Sequence, residues 1–152
     1  MKCKWLSFLL IACCLAGVSA CSFGANDDAQ GSSIHSETEK RAEVEKTAED
    51  MVAIRVLEAD GEETLLSVME DLQEEGLVNF TIQNGMVTGI NGKDNPMDFS
   101  HCWMLYTSDG EMSNAAWGEI EYNGEKLGSA VLGADALPVL EGQVYVWYYQ
   151  AF

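Results

Sequence analysis

The sequence predicts a small α+β domain on a polar tether, with one helix covering one face of a mixed or antiparallel sheet. Three observations carry that prediction. A branched apolar run occupies 52–58, and a one-sided apolar stripe at helical spacing follows over 65–72. From Val78 onward, short alternating segments are divided by Asn-Gly and Asp-Gly steps.

The N-terminal end reads as an export signal over residues 1–20. Lys2 and Lys4 precede an uncharged apolar stretch, Trp5 to Val18, of signal-peptide length and too short for a comfortable membrane span. Val18-Ser19-Ala20-Cys21 then resembles the bacterial lipobox. That resemblance implies transfer of a diacylglyceryl group to the Cys21 thiol, cleavage before Cys21, and a membrane partner at the extracytoplasmic face. A thiol is required there because sulfur is the nucleophile that takes the lipid. More than one acyl chain on the residue suffices for stable anchoring. An ordinary secretory signal or an uncleaved anchor is the plainer alternative. Cys13 and Cys14 fit the pattern less well and would truncate the apolar stretch.

Charge narrows the partners. Without Lys2 and Lys4, six basic residues face all 25 acidic ones, a formal charge of −19. Such a surface repels nucleic acid and anionic headgroups, which sets nucleic acid aside as a partner. Of five cysteines, three precede Cys21 and only Cys102 follows it, so the domain has no internal disulfide.

Residues 21–50 read as a lipidated, flexible acidic tether, with almost no large apolar residue before Val44 and at most transient helix over 37–49. The globular domain is placed at 51–152. Val52–Glu58 reads as a strand. Asp60 is the expected N-cap, with Glu63 three residues on. Leu65, Leu66, Met69 and Leu72 form the helix stripe, and Gly76 is the expected stop. Strands are expected at 78–82, 86–90, 102–106, 117–122 and 144–149, with turns at Asn84-Gly85, Asn91-Gly92, Asp109-Gly110 and Asn123-Gly124.

Four segments then coincide in order: Ala59-Asp60-Gly61 with Thr64-Leu65-Leu66, Gly89-Ile90-Asn91-Gly92, Trp103-Met104-Leu105-Tyr106, and Leu140 to Trp147. Together they resemble the domain at the C-terminus of transcobalamin and intrinsic factor, which also occurs in bacterial surface lipoproteins (the DUF4430 family). The match covers roughly residues 51–152. It implies a β-grasp-like domain and a soluble ligand, with a corrinoid as the candidate ligand. In the cobalamin carriers this domain closes over a corrinoid held by a helical barrel; the chain is too short to hold that barrel. A transporter or a helical partner domain is therefore the implied partner. The span from Asn114 to Leu137 exceeds what the resemblance leads one to expect, which implies an added hairpin or a ligand-facing loop.

Aromatic residues supply the candidate ligand contacts: Trp103, Tyr106, Trp117, Tyr145, Trp147 and Tyr149. Alternation puts Val144, Val146 and Tyr148 on one face of the last strand and Tyr145, Trp147 and Tyr149 on the other. One face must meet the helix. The other is either an exposed aromatic surface fit for a planar ligand, glycan or protein, or a second small core under the added hairpin.

Catalytic signals are poor: no nucleophile elbow, phosphate-cradling loop or metal-ligand spacing occurs. His101 and Cys102 are adjacent and would point to opposite faces of a strand. Asp94, Asp98 and His101 share a loop region, whose Asn and Asp side chains are better read as satisfying their own backbone. The expected function is a non-catalytic binding module. The rival expectation is a structural or adhesive surface module for protein or glycan.

Overall fold

The computed structural model describes residues 40–151. The expected signal peptide, Cys21 and the first part of the expected tether lie outside the described residues. The described part is an α+β domain of antiparallel sheets with a single helix.

Strand β1 (Ala42–Ala48) pairs antiparallel with β2 (Met51–Val56), so the fold begins before the expected boundary at residue 50. Its alternation of Ala42 and Val44 with Glu43 and Glu45 is that of an edge strand with one solvated face. One valine among charges is a weak local signal; pairing with β2 supplies the rest. The Arg41 carbonyl accepts from the N–H groups of Leu57 (2.8 Å) and Glu58 (3.2 Å), tying the start of β1 to the end of β2.

Helix α1 (Leu65–Glu74) buries Leu65, Val68, Met69 and Leu72. Its N-cap is Thr64, not Asp60. The Thr64 hydroxyl accepts from Ser67 N–H, and the Ser67 hydroxyl accepts from Thr64 N–H, a reciprocal box. Asp60 instead turns its own loop by accepting from Glu62 N–H. Tertiary contacts move the start: Leu65 N–H donates to the Leu137 carbonyl and Leu66 N–H to that of Ala134, both at 2.8 Å. The helix stops as expected. Gly76 takes a positive φ of 75°, and Leu77 N–H reaches back to the Leu72 carbonyl.

The small sheet comprises β3 (Phe80–Gln83), β4 (Met86–Ile90) and β5 (Lys93–Asp94), in that order. The remaining strands are β6 (His101–Thr107), β7 (Ser113–Tyr122), β8 (Glu125–Ala130) and β9 (Val144–Ala151). With β1 and β2 they form a six-stranded sheet, β1-β2-β9-β6-β8-β7. The three Asn-Gly steps all take positive φ at both residues, the twist a two-residue hairpin needs. Strands β7 and β8 pair as an antiparallel hairpin over 113–130.

Both faces of the large sheet are covered. Val52, Ile54, Val56, Leu105, Tyr145 and Trp147 meet α1 and the small sheet in the main core. Val144, Val146 and Tyr106 meet Tyr122 and Leu127 of the hairpin in a second core. The exposed aromatic face, one of the two alternatives, is therefore not formed. The second core also reaches β1, because the Tyr122 hydroxyl donates to the Glu45 carboxylate.

Burial first, then that hydrogen bond, pushes the Tyr122 phenol up to about 12. The folded state then keeps a proton that an unfolded chain releases near pH ~10. The associated stability is complete below that pH and drains away as pH rises towards 12. Tyr122→Phe is expected to flatten this alkaline loss in urea titrations across that window. An unchanged slope in the variant would assign the loss to other groups.

Candidate functional site

The site lies where β6 has no strand beside it. On one side β6 pairs with β9 along its whole length, from His101 to Thr107. On the other, β8 pairs only with Tyr106 and Thr107, so the stretch 101–105 faces the small sheet and loops. A cavity of about 290 Å³ opens along this edge. Because it meets the strand edge-on, residues of both faces line it, Cys102 and Met104 as well as Trp103 and Leu105.

Four other elements close the cavity. Strand β4 supplies Met86, Val87 and Thr88; the following loop supplies Asn95 and Phe99; Ala134 and Trp147 complete the wall. A larger hollow of about 510 Å³ shares Met86, Thr88, Asn95 and Phe99 with it, and adds the solvated side of the small sheet. Met86 and Phe99 stand 61% and 63% exposed at this shared boundary, with Met97 exposed beside them.

Local hydrogen bonds hold the wall. Asn95 N–H donates to the Thr88 carbonyl at 2.7 Å, while its side-chain oxygen accepts from Trp103 N–H at 3.0 Å. Asn95 thus takes the place of a neighbouring strand on the free edge of β6. The indole N–H of Trp103 donates to the Lys93 carbonyl at 2.7 Å and fixes the ring. Asp98 accepts from Ser100 N–H at 3.0 Å, the backbone role expected of this loop, and that N–H holds its carboxyl below the ordinary carboxylate range.

Phe99 has a φ of 53°. A bulky side chain in that region costs about 1–2 kcal/mol per residue. Its ring nonetheless stands at the cavity mouth. Phe99→Gly is expected to leave the melting temperature unchanged or slightly higher, since relief of strain offsets glycine's entropic cost of about 0.5–1 kcal/mol. The same change should weaken binding at the cavity. A fall of several degrees on thermal melting would show that the ring's contacts outweigh its strain.

The six aromatic candidates separate. Trp103 and Trp147 come together in the cavity wall. Tyr145 is fully buried in the main core, and Tyr106 is buried in the second core with its hydroxyl donating to Gln150. Trp117 is 65% exposed on β7, in the stretch where the β7–β8 register shifts, away from the cavity. Tyr149 binds β5 to β9: its hydroxyl donates to the Asp94 carbonyl, Lys93 lies 4.3 Å from its ring, and His101 stacks on it. Met86, Phe99, Met104 and Ala134 escape sequence reasoning. The Asn84-Gly85 turn and the expected strands at 86–90 and 102–106 mark the region, but no local pattern brings these side chains together.

The Cys102 thiol points to the Phe99 carbonyl at 4.0 Å, while the His101 ring stacks on Tyr149, so the two do not form a nucleophile–base pair. Among the described residues, no three of His, Cys, Asp and Glu are grouped to hold a metal ion. Among them, too, no helix is long and apolar enough to cross a membrane. Comparison with protein-family models, curated proteins and solved structures finds no match to this chain.

Proposed function

We propose that this chain is a non-catalytic binding module, anchored through Cys21 at the extracytoplasmic face of a membrane, that takes a small soluble ligand at the open edge of β6. The observation that carries this reading is the apolar cavity walled by Trp103 and Trp147. A concave, mostly apolar site with few polar groups is the usual form of a small-molecule site. The lipobox-like signal and the resemblance to the transcobalamin C-terminal domain support the same reading, and that resemblance brings β-grasp kinship with it.

Size shapes the corrinoid version. A cavity near 290 Å³ sits at the lower end of the range that encloses a ligand. A corrinoid is far larger, so this domain would grip one edge of it and a second protein, a transporter or helical domain, would hold the remainder. Titration of the purified protein with cobalamin and cobinamide, followed by tryptophan fluorescence and indole NMR signals, tests this. Saturable shifts confined to Trp103 and Trp147 are expected. Silence at millimolar ligand rejects the corrinoid for the protein alone.

The second reading is an adhesive or structural surface module for protein or glycan. The exposed Met86, Met97 and Phe99 around the larger hollow favour it, since grouped apolar side chains mark interaction surfaces. A glycan or protein that protects these three residues, while leaving the indole signals of Trp103 and Trp147 unmoved, decides for it.

A further inference from the structure

We infer that the open hollow on the solvated face of the small sheet is a saccharide site. It takes a neutral mono- or disaccharide, with the Asp94 carboxylate on its hydroxyls and the Phe99 ring against its C–H face. This rests on the glycan reading above and gives it a place and a ligand class. The hollow adjoins the apolar cavity but differs from it in chemistry.

Strand register puts the polar groups on one face. Thr81 and Gln83 alternate along β3, and Gln83 stands opposite Met86 on β4. Thr81 stands opposite Gly89, and Gly89 opposite Asp94 on β5, so these three form one row across the sheet. Val87, next to Met86, is buried on the other side. Asn84, in the turn between β3 and β4, closes one end of the hollow.

Gly89 is what lets the carboxylate lie there. A Cβ at that position would collide with Asp94 Oδ1, so the carboxylate rests over the bare backbone of β4 and covers Gly89, which is buried. Asp94, Thr81, Gln83 and Asn84 are all exposed, so a ligand in the hollow reaches them without movement of the chain.

The rim supplies a fixed ring. Phe99 N–H donates to the Pro96 carbonyl at 3.0 Å and closes a turn whose start is held by Asn95. That turn keeps Phe99 at a φ of 53°, with its side chain 63% exposed at the edge of the hollow. Backbone strain of this kind persists only where its surroundings fix it. A ring already fixed loses little entropy when a ligand packs against it.

The ligand class follows from this mixture. A carboxylate only accepts, while the Gln83 and Asn84 amides and the Thr81 hydroxyl both donate and accept. A sugar's hydroxyls likewise do both, and one side of its ring is C–H surface suited to an aromatic face. A wholly apolar molecule would strip water from the polar floor without replacing it. An acid would meet Asp94 with no Lys, Arg or His in the lining to offset the repulsion. A small cation would find one carboxylate and leave the ring and the amides unused. Size agrees: about 150 Å³ holds one six-membered ring, so an open hollow of about 510 Å³ accommodates a disaccharide.

NMR titration of the purified protein tests this with cellobiose, maltose, lactose, N,N′-diacetylchitobiose and, as the acid, digalacturonate. At least one neutral sugar is expected to saturate at about millimolar concentration, the weak end of specific binding. It should move amide signals over 81–88 and 94–99 and leave the indole signals of Trp103 and Trp147 in place. Asp94→Ala should weaken it about tenfold or more, the worth of hydrogen bonding to a charged group. Phe99→Ala should weaken it about two- to tenfold. Gly89→Ala should act like Asp94→Ala, because the new methyl displaces the carboxylate. If that variant folds poorly, Asp94→Ala at its exposed position still decides. Saturation with shifts elsewhere overturns this site and leaves the glycan reading standing. An affinity unchanged by both Asp94→Ala and Phe99→Ala overturns the assigned contacts. Digalacturonate binding as tightly as the neutral sugars overturns the neutrality. No saturable shift with any of these sugars overturns the saccharide, and leaves protein as the partner in the second reading.

Discussion

Tyr145→Ala is expected to lower the unfolding free energy by about 3–5 kcal/mol, the usual cost of truncating a buried aromatic side chain. Tyr145 is 0% exposed and packs in the main core between the sheet and the helix layer. It also carries a bridge. Its hydroxyl donates to the Pro138 carbonyl at 3.3 Å and accepts from Leu140 N–H at 3.1 Å. The same segment continues through Val139 N–H to the Glu63 carbonyl and through Thr64 opposite Pro138, beside the helix N-cap. Truncation therefore opens a cavity and releases the strap that positions α1. Tyr145→Phe keeps the ring and loses the bridge, with an expected cost of about 1–2 kcal/mol. Urea denaturation followed by circular dichroism measures both. A cost below that of the phenylalanine variant would refute the assigned packing.

Met86→Asp should separate binding from stability. The side chain is 61% exposed, so the fold is expected to change by no more than about 0.5 kcal/mol. Yet Met86 belongs to both the cavity and the hollow beside it. A carboxylate there must either lose hydration against a bound apolar ligand or keep the ligand out. Affinity for a neutral apolar probe is expected to fall at least about tenfold, which corresponds to about 1.4 kcal/mol. Isothermal titration beside a thermal melt gives both numbers. An unchanged affinity at an unchanged melting temperature would place the ligand elsewhere.

The cavity follows from a mismatch between two kinds of pairing. Strand β6 is long enough to be fully matched by β9, but the β7–β8 hairpin joins it only at its last two residues. Farther down, Asn95 caps one backbone N–H of the free edge. Side chains then fill what a strand would have occupied, and they fill it incompletely. This is also why only two of the six aromatic candidates reach the site. Alternation along β9 correctly divides Tyr145, Trp147 and Tyr149 from Val144, Val146 and Tyr148. It cannot say which set meets the helix, and both faces turned out to be covered.

Much of the chain was legible because its signals are local. An Asn-Gly pair carries the positive φ values of its turn in its own two residues, so three turns could be placed from sequence, although β5 and β8, which follow two of them, were not. The stripe of α1 and its Gly76 stop are likewise written within one helix length. The helix start was not, because the carbonyls that take its first N–H groups come from residues 134 and 137. Nor was β1, whose alternating charges resemble a solvated tether until β2 pairs with it. By itself, then, the sequence determined the helix, six of the strands, the turns and the acidic surface, which depend on neighbours a few residues away. Only the tertiary structure decided the covered faces, the free edge of β6 and the unpartnered indole of Trp147. Each depends on groups from separate elements, as where β8 stops pairing with β6 after Tyr106 and Thr107, and no local pattern reports which backbone edge or ring nitrogen will be left without a partner.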